Sequence, residues 1–542
     1  MCKDADNHDS LVENFEQSKE ERKRLEGLGY PQRVKSWAML IATWTTVMVN
    51  RIATVIRLRP DGSEKVRLVV DMLRSGVNSL VTTGERVVLP RPGDLAVSVI
   101  DLWGMARLRA WDFAVEVLIS DFTDAFLTLK LCQEEMGYFA TRAYDGEWLV
   151  YSRVPFGLAS APLLWCRFTA LVGRLTQAIL KPNEGRLHTY VDDPAVAIAG
   201  SRKQRTQTAA MILLFWLALG LQTQAHKAQF GTKVEWIGVQ FILNVESVAM
   251  GISKKRTLEM IEVADNLKNK KGMCKIDEVR SFAGLASWVS GIVPRLRPFT
   301  AHLWAAVHDS ARETTKRSST RQRPKDLLFV RRIEHAAKWI SSFLHGERGG
   351  IVRVMKLSQR HAKAKYTIRT DASTTGIAGI LFNERLEPIQ YWADDITKED
   401  LKRYGSKEGD PAFMAEWEML ALLVSLVVWK ESIKATKAQV VAQLDSKAAM
   451  GAALKLASPR PLVNAIAAEI SLVLEEAQAE VLEPEHFRGV LNVEADALSR
   501  LREGKTIPKR LENLKKRESP TRNDSFYKAW PTDWKNVSIL HE

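Results

Sequence analysis

The chain has 542 residues, 46% hydrophobic and 26% charged, an ordinary globular composition too long for one hydrophobic core, so two to four domains are expected. A net charge of +14 suits a polyanionic partner, and fifteen Lys/Arg against four Asp/Glu fall between Ala311 and Lys365 alone. Four cysteines without a CxxC pair disfavour a zinc finger or a disulfide framework. The charged start and the absence of an apolar run near 20 residues disfavour a signal peptide or a membrane span.

The first 30 or so residues are rich in Glu and Lys, which fits a helical or loose lead-in. From Thr43 to Asp71 two β-rich arms flank Pro-Asp-Gly, a hairpin signal. A Gly- and Pro-punctuated segment follows, and then EVLISDFTDAFLTLKL opens with a buried strand. A second hairpin surrounds Asp145-Gly146, and Ala161–Leu180 carries apolar residues at helical spacing. HTYVDDPAVAIAG, from His188, reads as two apolar arms around Asp192-Asp193-Pro194. A helix through TAAMILLFWLALGL and a strand pair near VEWIGVQFIL come next. Residues 250–350 read as mostly helical and increasingly basic. At Tyr366 a new β-start leads into strand, helix, strand and helix, the order of an independent α/β domain. The last forty residues are basic and poorly patterned.

Asp-Asp-Pro is by itself a good turn. A second buried strand nevertheless ends in acids, at Asp121 and Asp124, and Asp121 is placed to complete a three-carboxylate cluster with Asp192 and Asp193. Packed carboxylates repel unless cations neutralise them, and paired divalent ions about 3.5–4 Å apart favour in-line nucleotidyl or phosphoryl transfer. Mg²⁺ suits such all-oxygen sites. Asp124 also reads as a residue that braces its own turn. In the second block Asp371, Asp445 and Asp496 lie at strand ends or helix starts, and Glu418 lies on the helix AEWEMLAL, with Glu416 as its neighbouring alternative. Singly, each of these acids also reads as a turn residue, an exposed helix charge or an N-cap.

Several blocks, in order, resemble reverse transcriptases of gypsy-like, long-terminal-repeat-type retrotransposon polyproteins. YVDD is similar to the YxDD signature, KVRLVVDMLRSGVN to a fingers block, SDFTDAF to the first palm motif and VPFGLASAP to the LPFGLxxAP block. GLQTQAHKAQF, VEWIGVQF and EVRSFAGLASWVSGIVPRLRPFT resemble the blocks that follow, and the likeness covers about Arg57 to Thr300. Pro194 departs from the apolar residue usual after the second Asp. The later acids resemble the D-E-D-D set of ribonuclease H, and HFRGVLNVEADALSR its closing motif, with Phe-Arg-Gly where Ile-Pro-Gly is usual.

The resemblance implies an α+β multidomain fold, a right-hand polymerase of fingers, palm and thumb followed by an α/β ribonuclease H-like domain. The implied bounds are a lead-in 1–40, fingers and palm 41–250, a basic helical thumb and connection 251–360, a ribonuclease H-like domain 361–502 and a basic tail 503–542. It implies metal binding by Asp121, Asp192 and Asp193, and separately by Asp371, Glu418, Asp445 and Asp496. Each site would take two Mg²⁺, with Mn²⁺ as the substitute. Arg67 and Arg59 would contact the triphosphate, Phe126 would exclude a ribose 2′-hydroxyl, Phe156 and Gly157 would line the nucleotide path, Lys227 would protonate pyrophosphate, and His486 would assist product release. The expected partners are an RNA template, a DNA primer, an RNA–DNA hybrid, dNTPs and other polyprotein parts such as protease, integrase and capsid. No membrane is expected, and the setting is intracellular, cytoplasmic or nuclear. Two other readings remain open: only one domain active, or a decayed or domesticated remnant that binds nucleic acid without catalysis.

Overall fold

The computed structural model describes residues 7–58, 62–106, 113–316, 326–347, 350–360, 364–436, 439–479 and 481–529. Arg59, Pro60 and Asp61 of the first expected hairpin, the basic run 317–325 and the tail end 530–542 lie outside the described residues. The chain divides into two compact units, Met1–Ile237 and Gly238–Glu542.

Among the described residues, two sheets lie wholly within the first unit. In one, the β-rich arms form β1 (Val49–Leu58) and β2 (Glu64–Asp71), paired antiparallel, with Ala140–Arg142, Trp148–Tyr151 and Pro31–Val34 beyond β1. The lead-in is built into this unit. Helices Asp9–Glu13 and Phe15–Gly27 bury Leu11 and Leu25, and the hydroxyls of Ser18 and Thr54 meet at 2.7 Å in the interior. One stripe of the longer helix faces inward, and it carries Arg22 as well as Ser18 and Leu25.

The other sheet carries β3 (Ala114–Ile119), β4 (Gly185–Tyr190), β5 (Asp193–Gly200) and β6 (Gln229–Gly231) in the order β4-β5-β3-β6. Helices α1 (Ala161–Ile179) and α2 (Arg202–Ala218) cover it through Trp165, Val172, Ile212 and Trp216. A Ser201/Gln204 capping box starts α2, and Arg205 pins it to the sheet through Glu116 at 2.6 Å. β5 is buried along nearly its whole length, which explains its continuous apolar run.

In the second unit, helices Lys254–Asn269, Ile276–Ile292, Arg297–Lys316 and Glu334–Leu344 pack together. Asp265 joins the first to the last by accepting from Ser341 at 2.6 Å and facing His345 at 3.0 Å. A six-stranded sheet follows: β7 (Tyr366–Ala372), β8 (Gly376–Phe382), β9 (Pro388–Asp395), β10 (Gln439–Leu444), β11 (Val481–His486) and β12 (Lys515–Lys516), in the order β11-β10-β7-β8-β9-β12. β7, β8 and β9 are antiparallel neighbours, whereas β10 and β11 join β7's other side in parallel. Helices α3 (Met414–Val428), α4 (Pro461–Glu476) and α5 (Val493–Ser499) are among those that accompany this sheet.

Pro411–Val428 is long and apolar enough to cross a membrane by length and composition. It is 67% buried within the protein, where its helix α3 packs on β7 and β8. The segment after the last helix is ordered through Ala529 rather than trailing away. The Arg522 side chain, 1% exposed, reaches Asp394 at 2.6 Å and Asp400 at 2.8 Å, and Ala529 N donates to Glu469 at 2.7 Å.

Candidate active sites

β3 and β5 run antiparallel, with Ile119 opposite Ala195. Continuing that register sets Asp121 abreast of Asp193, and two backbone bonds hold it there: Ser120 N to Pro194 O at 3.1 Å and Phe122 N to Asp192 O at 2.9 Å. The β4–β5 hairpin turns at Val191-Asp192, with Val191 in the left-handed region at φ 54°. The three acids thus arrive from the ends of two inner strands at one end of the sheet.

Burial raises the Asp192 carboxyl above the usual range, and nearby Asp121 adds to it. Asp193 is pushed up to about 7, first by burial and then by Asp192 and Asp121. Lys227 lies directly against Asp121, and Lys65, Arg67 and Lys227 supply the opposing positive field. Lys65 is itself lowered by burial and by Arg67 and Lys227. The sequence reading missed Lys65. Its signal was the spacing, because residues two apart on a strand share a face and Arg67 is already on β2.

Arg67 lies over the Phe156 ring at 5.6 Å, and Phe156 packs against Phe126 with centroids 5.4 Å apart. Gly157, at φ 116°, follows Phe156, and its carbonyl accepts from Asn78 at 3.0 Å. Asp124 does not cap its own turn with its side chain; it pairs instead with Arg24 at 2.7 Å, far away in the chain.

The second group of acids forms the same way from a parallel pair. Arg369 is opposite Gln443 in the β7–β10 register, so two residues further on Asp371 meets Asp445. Glu418, in the second turn of α3, accepts from Ala372 N at 3.3 Å. Carboxylate oxygens of Asp371, Glu418 and Asp445 lie within 4.8 Å of one another, a spacing that fits a shared cation. Asp121, Asp192 and Asp193 are not gathered as closely among the described residues; there Lys227 occupies one Asp121 oxygen.

Asp371 is pushed up to about 7 by burial, with Asp445 and Asp496 adding to the shift and Ser499 opposing it. Glu418 is raised well above its ordinary range by burial and by Asp445 and Asp371, and its Oε2 is buried without a donor. Two buried donors hold Asp371: Asn492 Nδ2 at 3.1 Å and Ser499 Oγ at 2.5 Å. Both were missed in the sequence, although both sit inside NVEADALSR.

Asp496 stands outside the trio, held by Arg500 at 2.6 Å, although its charge reaches Asp371. His486 ends β11 opposite Leu444, next to Asp445 in the chain, and is exposed. Glu416, the alternative to Glu418, is drawn away to Arg460 at 3.4 Å.

Residues 113–241 match the family model of reverse transcriptase (RNA-dependent DNA polymerase). That segment is a reverse transcriptase domain, and it holds Asp121, Phe126, Phe156, Gly157, Asp192, Asp193 and Lys227. The second cluster lies beyond the match. No curated protein matches the chain in sequence. Among solved structures, the chain is similar to foamy viral protease-reverse transcriptase in complex with dsDNA, at 17% identity and TM-score 0.45, covering 90% of this chain and 85% of that one. The dRH form in complex with ds DNA has the same identity, TM-score and coverage of this chain, with 71% of its own length covered. The complex with RNA/DNA hybrid has 15% identity and TM-score 0.43, covering 96% of this chain and 57% of that one.

Proposed function

We propose that the chain is an RNA-directed DNA polymerase with a fused ribonuclease H, derived from a gypsy-like retroelement polyprotein. The observation that carries this reading is the meeting of Asp121 with Asp192 and Asp193 at one end of the sheet, inside the segment that matches the reverse transcriptase model. The donor sets fit divalent cations: all-oxygen, partly buried and self-repelling, with one buried Glu418 oxygen lacking a donor. Asp121, Asp192 and Asp193 would hold ions in the first unit. Asp371, Glu418 and Asp445, with Asp496 alongside, would hold them in the second. When bound, such ions lower the pKa of an attacking hydroxyl or water and steady the leaving oxygen.

This chain's own residues supply the rest. Lys65 and Arg67 present two cations on one strand beside the acids, suited to the incoming triphosphate, with Arg67 steadied on the Phe156 face. Phe126, wedged against Phe156, would bar a ribose 2′-hydroxyl and select dNTPs. Lys227, touching Asp121, would give a proton to departing pyrophosphate. In the second unit Asn492 and Ser499 fix Asp371, and the exposed His486, opposite Leu444 at the end of β11, would move a proton or help the product leave.

The partners in this reading are an RNA template, a DNA primer, their hybrid and dNTPs, in an intracellular setting. The basic residues of Ala311–Lys365 would contact phosphates without reading sequence. Extension of a DNA primer on an RNA template with dNTPs and Mg²⁺, together with cleavage of the RNA strand of a hybrid, tests both activities. An unmodified chain that gives neither product contradicts the proposal.

A further inference from the structure

Four consecutive carbonyl groups at the tip of the β4–β5 hairpin each accept a hydrogen bond from a different donor. Val191 O accepts from Trp165 Nε1 at 2.7 Å, and Asp193 O from Trp236 Nε1 at 3.0 Å. Asp192 O and Pro194 O accept from the backbone of Phe122 and Ser120 at 2.9 and 3.1 Å. The two backbone donors belong to the neighbouring strand and would accompany any sequence paired there. The two indoles are a choice of side chain, because no other apolar ring carries an N–H donor.

Both rings are almost wholly buried, at 0% and 1% exposure, and they come from α1 and from the strand Lys233–Trp236. They grip the peptide units on either side of the Asp192-Asp193 pair. The turn needs holding, because Val191 is β-branched and sits at φ 54°, where such residues are outliers. Released from the indoles, Val191 would relax toward a negative φ, and the direction of the Asp192 and Asp193 side chains would change with it.

Trp216 shows what a purely structural buried Trp does in the same unit. It is equally buried, and its Nε1 donates to Thr176 Oγ1 at 2.9 Å, away from the hairpin tip.

We infer that Trp165 and Trp236 are positioning residues that fix the strained Val191–Asp193 backbone and thereby aim the Asp192 and Asp193 carboxylates. The inference rests on the polymerase reading of these acids. Phe at either position keeps the ring and removes only the N–H. The test uses the full chain as Trp165→Phe, Trp236→Phe and Trp216→Phe, measuring primer-extension kcat and KM for dNTP, hydrogen exchange of peptide 188–196, and melting.

In the first two variants kcat falls at least about tenfold with KM within about twofold, and tip amides exchange at least about tenfold faster. Trp216→Phe melts earlier but keeps kcat and tip exchange. Should one hairpin variant fail to fold, the other decides. A kcat within about twofold of the unmodified chain in the folded hairpin variants overturns the inference, as does an equal kcat loss in Trp216→Phe. If the unmodified chain extends no primer, the polymerase reading fails instead, and the exchange measurement still decides whether the indoles lock the tip.

Discussion

A Cβ on Gly157 would lie 1.9 Å from the carbonyl oxygen of Val70, and Gly157 also sits at φ 116°. The loop after Phe156 passes this close because Val70 N donates to Phe156 O at 2.8 Å and Asn78 clasps the loop from both sides, donating to Gly157 O and accepting from Ala159 N. Gly157 is therefore where β2, with Arg67, is held against the Phe156 loop.

Gly157→Ala should cost about 2–4 kcal/mol and displace the Phe156 loop, because strained backbone and a clash with main chain act together. Gly146→Ala is the comparison. It has φ 81° but nothing within 4 Å, and it should cost only about 1 kcal/mol. Melting of the two variants checks this; equal losses would show that the close approach does not matter.

The Asp371 carboxyl gives a pH prediction. Its folded pKa of about 7 lies above the ordinary carboxylate value, so in metal-free buffer the unfolded chain releases this proton first as pH rises. Stability from this group is highest at or below pH 4, falls between about 4 and 7, and is level above that. Asp371→Asn removes the penalty. Its melting point should nearly equal that of the unmodified chain near pH 4, exceed it by several degrees above pH 7, and lose most of that lead when Mg²⁺ is added. A pH-independent difference would count against a buried, self-repelling cluster.

Arg522 anchors the segment after the last helix with a side chain 1% exposed, against an Asp400 side chain that is fully buried. Arg522→Ala leaves Asp400 without its cation and should cost about 3–5 kcal/mol. The double change Arg522→Met with Asp400→Leu should recover much of the loss. Denaturant unfolding that shows no loss for Arg522→Ala would mean that this segment is not part of the folded unit.

Much of the architecture was legible because it is written in local pattern. β1 and β2 pair on either side of the Pro-Asp-Gly sequence, and β5 is an unbroken apolar run because both its faces are covered. Acids at strand ends stood out for the same reason: Asp121, Asp192, Asp371 and Asp445 interrupt apolar sequence. Glu418 was harder to read. α3 is buried on nearly every side, so it has no polar face against which a buried acid would look out of place.

The segment 503–529 looked unpatterned because single side chains and backbone groups hold it, through Arg522, Tyr527 and Ala529 N, and such anchors have no period. Asp496 sits in the expected motif, but its carboxylate is taken by Arg500, a pairing that spacing alone makes available and does not require. The two indoles act across the fold, on groups distant in the chain, and only the packed structure shows them.

Asp192→Asn and Asp445→Asn, assayed side by side on a primed RNA template, address the central claim of two separate acid sites with separate chemistry. The expected result is loss of primer extension by at least about a thousandfold in Asp192→Asn with RNA cleavage intact, and the reverse in Asp445→Asn. Persistent extension in Asp192→Asn, or loss of both activities in either variant while it remains folded, would contradict the account.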